Sequence, residues 1–127
     1  MTGPSMKSIK GPGEPPREDL ERGRVAFNSG DYFRAHEYWE EAWRDLANPE
    51  RAIVQGLIQI AAGCHHLTNN RPAPAARLLA KGLSKLGGDA PAPLNRFRLR
   101  ALAADAAHTL ATLTSGETRA DSTHLKL

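Results

Sequence analysis

Apolar side chains recur at three- and four-residue spacing along most of this 127-residue chain, and no stretch alternates apolar and polar positions as a half-buried strand would. The pattern divides into five helices. The first runs from about Glu18 to Asn28, with Gly30 as its stop. Asp31 is placed to cap a second, from about Tyr32 to Leu46. Asn48 and Pro49 read as the cap and first position of a third, which continues to about Leu67. After an Asn69-Asn70-Arg71 turn, Pro72 and Pro74 fit only the first turn of a fourth helix, running to about Leu86 and stopped by Gly87-Gly88. Pro91 and Pro93 open a fifth, which ends near Thr114.

Helix three is apolar on almost every side (Ile53, Val54, Leu57, Ile58, Ile60, Ala61, Ala62), which places it at the centre. Helix four sets Leu78, Leu79, Leu83 and Leu86 against Arg77, Lys81 and Lys85 on its other side. Helix five carries a stripe of Leu99, Leu102, Ala106, Leu110 and Leu113. Connections this short make sequential helices antiparallel neighbours. The expected fold is all-α: a compact bundle of about five antiparallel helices, two stacked helical hairpins plus a closing C-terminal helix. A faint repeat, segment 28–43 against 69–84, agrees with two stacked hairpins.

The ends differ in composition. Residues 1–17 are rich in glycine and proline, with only Met1, Met6 and Ile9 as apolar side chains, and residues 115–127 are mostly polar. Neither buries enough surface to offset its ordering entropy. The reading is therefore a disordered tail over 1–17, one helical domain over 18–114 and a flexible tail over 115–127. The first segment lacks the apolar stretch of a signal peptide, no run is long enough to span a membrane, and one cysteine, Cys64, allows no intrachain disulfide. Together these predict a cytoplasmic protein. The net charge of +3 hides an asymmetry: residues 18–50 carry nine acids and four bases, residues 51–114 eight bases and two acids. The body alone is close to neutral, so there is no specific nucleic-acid signal. The two halves either attract each other within the fold, or guide an acidic protein partner to Arg77, Lys81 and Lys85.

The residues with chemistry lie on helix two. His36, Glu40 and Trp43, at i, i+4 and i+7, share one face beside Trp39 and Ala42. Burying a carboxylate there is costly unless it is paired. Antiparallel pairing about the turn near residues 47–50 sets Glu40 opposite Leu57 and Ile58, so Gln55 and Gln59 bracket it and His66 lies about a turn beyond His36. Three readings are open. A divalent metal ion is held by His36, Glu40 and His66; a small ligand binds at His36, Glu40, Trp43, Gln55 and Gln59, with acid–base work open to the first two; or the cluster is a satisfied network that sets helix packing. The string His36-Glu37-Tyr38-Trp39-Glu40 is similar to the zinc-protease H-E-x-x-H, but Glu40 replaces the second histidine. Cys64 reads as a small core residue, His65 and His108 as surface histidines, and Trp39 as core.

The string Gly30-Asp31-Tyr32-Phe33-Arg34-Ala35-His36-Glu37-Tyr38-Trp39-Glu40-Glu41-Ala42-Trp43-Arg44, followed by Gln55-Gly56-Leu57-Ile58-Gln59, closely resembles the prokaryotic domain-of-unknown-function family 309. Its hallmark, His-x-x-x-Glu-x-x-(Trp/Tyr), is met by His36, Glu40 and Trp43. The resemblance covers about residues 20–87. It implies an all-helical fold and a motif suggested to bind metal, without an established activity. Gly30-Asp31-Tyr32-x-x-Ala35 also looks like part of a tetratricopeptide repeat. That likeness implies a protein-interaction scaffold in which the polar cluster is structural.

Overall fold

The computed structural model describes residues 17–86, 94, 97–115 and 125–127. Its elements are α1 (Arg17–Asn28), α2 (Tyr32–Trp43), α3 (Glu50–Thr68), α4 (Pro72–Leu83) and α5 (Leu99–Thr114). Among the described residues there is no strand, so the protein is all-α as its periodicity predicts. Packing runs mainly between sequence neighbours: α1 on α2, α2 on α3, α3 on α4, α4 on α5.

The local signals act much as their chemistry requires. Gly30 takes a positive φ of 88°, and Asp31 accepts the Arg34 backbone N–H at 3.2 Å, capping α2. Pro72 and Pro74 occupy the first turn of α4, where a missing N–H costs nothing. Four boundaries differ from the sequence reading. Pro49, not Asn48, stands at the N-cap of α3, with no side-chain cap bond, and the helix starts at Glu50. Helix α2 ends at Trp43 rather than near Leu46, and α4 at Leu83 rather than Leu86. Helix α5 starts at Leu99, after Leu94 and Phe97, which are both buried. Gly87, Gly88, Pro91 and Pro93, on which the expected stop and start rested, lie outside the described residues, as does nearly all of the N-terminal segment.

Two close approaches fix the helix pairs. Trp39 is fully buried, donates from Nε1 to the Leu20 carbonyl at 3.1 Å, and packs on Phe27 and Phe97. Its indole lies where α1 has no side chain: a Cβ added to Gly23 would stand 2.1 Å from Trp39 Nε1. Between α3 and α4 the backbones touch. A Cβ on Gly82 would meet the Gly56 carbonyl oxygen at 2.7 Å, and one on Gly63 the Ala75 oxygen at 3.2 Å. Small residues let these axes approach more closely than larger ones permit.

The C-terminal end departs from the reading of 115–127 as a flexible tail. Leu125 and Leu127 are buried with the main core, and Asn28 bonds to the backbone of Leu127 in both directions. Two leucines two positions apart provide the burial that the polar average of the segment conceals. The described helices include none long and apolar enough to cross a membrane.

Gly23→Ala tests the α1–α2 seat. Alanine favours a helix interior over glycine by about 1 kcal/mol, but a methyl group inside a packed indole costs about 1–3 kcal/mol, occasionally more. A net loss of stability is expected, seen as a lower urea midpoint; an equal or higher midpoint would contradict this seat.

Candidate functional site: the outer flank of helix α2

Burial of Tyr32, Ala35, Trp39 and Ala42 sets the rotation of α2. The residues one step round the helix, His36, Glu40 and Trp43, then fall on the flank that turns toward α3. His36 Nε2 lies 3.3 Å from Glu40 Oε2, with the imidazole 26% and the carboxylate 52% exposed. The pair therefore sits at a wet edge, and the carboxylate avoids the burial cost that the sequence raised. Phe33, 51% exposed, stacks on the His36 ring at 5.9 Å between centroids. On its other side it meets His65 of α3 at 5.5 Å. His65 is in turn held by Asn69, whose Nδ2 donates to the His65 carbonyl at 2.9 Å. His65, expected at the surface, is thus half-buried and part of the site's edge.

Trp43 makes a different contact. The Arg51 guanidinium lies 3.6 Å above its ring, and Arg51 Nη1 donates to the Trp43 and Leu46 carbonyls at 3.4 and 3.2 Å. These carbonyls belong to the last turn of α2 and the turn beyond it; that of Trp43 also accepts the Leu46 backbone N–H at 3.1 Å. One side chain from α3 thus closes the end of α2 and stacks on its tryptophan. Two polar atoms on this flank, His36 Nδ1 and Trp43 Nε1, are buried with no hydrogen-bond partner among the described residues.

The facing stripe differs from the one expected. Gln59 Oε1 accepts from Lys85 Nζ at 3.0 Å, which ties Gln59 to the end of α4. Gln55 on that stripe is exposed, and His66 stands beside His65 at 6.3 Å between ring centroids. The residues that meet α2 are Arg51 and His65, fourteen positions apart with Ile58 midway, a stripe repeating every seven residues. The predicted bracketing of Glu40 by Gln55 and Gln59 is therefore replaced by this stripe. Among the described residues no three His, Cys, Asp or Glu side chains stand together as a metal site. His36 and Glu40 are brought together, and His66 does not complete a set with them.

The remaining candidates fall into place around this pair. Trp39 is core and does not rim a pocket. Cys64 is fully buried, and burial pushes its thiol up to about 12, so it is no nucleophile at neutral pH. His108 is exposed, as are Arg77 and Lys81, while Lys85 is engaged by Gln59. A cavity of about 460 Å³ lies on the opposite flank of α2, between it and α1, lined by Glu21, Arg22, Val25, Ala26, Asp31, Arg34 and Tyr38. It does not include His36 or Glu40.

An all-helical domain with a His-x-x-x-Glu-x-x-Trp flank defines the class of protein. Residues 20–78 of the chain match the model of the family described as Domain of unknown function (DUF309). A protein of Aquifex aeolicus (strain VF5), described as uncharacterized, is 34% identical over 67 residues, 52% of this chain and 20% of that protein. The chain thus spans about a fifth of the length of that relative. No solved structure matches.

Arg51→Lys isolates the clamp at the end of α2. Lysine keeps the charge but loses the fork that reaches two carbonyls while stacking on Trp43. A loss of about 1–2 kcal/mol in urea unfolding is expected; an unchanged midpoint would show that charge alone suffices.

Proposed function

We propose that the His36–Glu40 pair is a small-ligand site at the edge of α2, and that a divalent metal ion is the ligand its donor atoms fit best. The observation that carries this reading is the 3.3 Å between His36 Nε2 and Glu40 Oε2. With metal–ligand bonds of about 2.0–2.2 Å, two donors on a tetrahedral ion stand about 3.4 Å apart. Imidazole nitrogen and carboxylate oxygen are both ligands that zinc accepts. The half-exposed position leaves the remaining coordination places to water or to an external molecule, as at sites that keep an open position. A bound ion would supply Lewis acidity there; the chain supplies the two donors, the Phe33 shelf beside them and the packing that holds α2 in place.

Two protein ligands hold an ion more weakly than three or four, so binding is expected in the micromolar range or above rather than as a permanent structural metal. Calorimetric titration of tag-free protein with zinc, manganese and iron(II) tests this. One equivalent bound by the unaltered chain, lost in both His36→Ala and Glu40→Gln while their helix content is unchanged, is the expected outcome. Absence of saturable binding, with a stability loss of a few kcal/mol in His36→Ala, would make the pair a packing feature. It would leave the interaction-scaffold reading standing.

A further inference from the structure

The Asn28 side chain treats Leu127 as one peptide strand treats another. Its Nδ2 donates to the main-chain oxygen of Leu127 at 2.8 Å, and its Oδ1 accepts the Leu127 backbone N–H at 2.6 Å. Arg24 Nη1, one turn earlier on α1, donates to the same oxygen at 3.2 Å, and its guanidinium is also held by Glu21. Leu125 is fully buried, Leu127 is 4% exposed, and Lys126 between them faces outward. Main-chain bonds with side chains seated at alternate positions are how an extended peptide is recognised. The main-chain bonds are blind to sequence, while the two seats select the leucines.

We propose that α1 carries a peptide-binding groove for an extended Leu-x-Leu segment, and that the chain's own residues 125–127 occupy it in cis. The groove lies on the flank of α1 that bears Arg24 and Asn28, away from the His36–Glu40 pair on α2, so it is a second site, independent of the proposed metal. Two buried leucines and three hydrogen bonds are opposed by the ordering of three residues at the end of a polar segment. That near balance makes the occupant exchangeable: a partner protein presenting a Leu-x-Leu segment competes with the tethered one and displaces it. The tethered segment sets a threshold that such a partner must exceed.

The test uses the full chain and a fluorescein-labelled peptide of residues 119–127. In the L125A/L127A chain the groove is vacated, and anisotropy should report binding at least tenfold tighter than to the unaltered chain. Adding Asn28→Ala to that variant should weaken binding at least tenfold. Equal binding to the vacated and unaltered chains, with the vacated chain still helical by circular dichroism, overturns the proposal. If L125A/L127A does not fold, hydrogen exchange on the unaltered chain decides. Exchange of the Leu127 amide well ahead of the Leu57 and Ile60 amides of α3 supports an exchangeable occupant; equal protection makes the segment an integral part of the core and overturns it.

Discussion

The seat of Trp39 against Gly23 is the contact on which the rest of this structure depends. Trp39 is fully buried, bonded to the Leu20 carbonyl and flanked by Phe27 and Phe97. Removing so large a side chain from a core costs about 3–5 kcal/mol, a large share of the stability of a domain this size. The indole can enter only because α1 offers a glycine there. Once it is seated, the rotation of α2 is set, and with it the direction of every other side chain on that helix. His36 and Glu40 come to a wet edge, Phe33 to the surface beside them, and Trp43 under Arg51. The motif His-x-x-x-Glu-x-x-Trp thus serves two purposes. Its first two residues form a half-exposed pair, proposed above as a ligand site, and its third anchors the end of the helix that carries them.

Helix α3 is held from both sides by different means. Toward α2 it presents Arg51 and His65, which make polar and aromatic contacts. Toward α4 it presents Gly56 and Gly63, where the backbones meet. Gln59 ties the rim of that second seam to Lys85. The glycine seam leaves little room for sliding, so the α3–α4 pair is a firm base against which α2 is positioned. The site edge, built from Phe33, His36, Glu40 and His65, is the joint between that base and the Trp39 seat.

Much of the fold was legible because several helix boundaries had a local chemical cause. Asp31 caps, Gly30 turns, and Pro72 and Pro74 begin a helix wherever they are met. The flank of α2 was legible too, since the burial of its apolar residues forces His36, Glu40 and Trp43 to one side. What the sequence withheld was the rotation of α3. A helix apolar on nearly all sides gives no signal of which flank meets which neighbour, so Gln55, Gln59 and His66 were assigned to α2, whereas Gln59 bonds to Lys85, Gln55 is exposed and His66 stands beside His65. The seven-residue spacing of Arg51, Ile58 and His65 was a usable clue, as was an arginine eight positions after Trp43. The docking of Leu125 and Leu127 was hidden for another reason: two leucines in a polar stretch declare a seat only when the groove that receives them is known.

The rotation of α3 leaves His36 and Glu40 together, the proposed two-donor pair, without His66. Long-range proton–nitrogen spectra of the histidine rings, recorded while zinc is added to tag-free protein, test it at single-atom level. The Nε2 resonance of His36 is expected to move and saturate at one equivalent, while the ring nitrogens of His65 and His66 stay in place. Movement of His66 together with His36, or no movement of any imidazole, would contradict it.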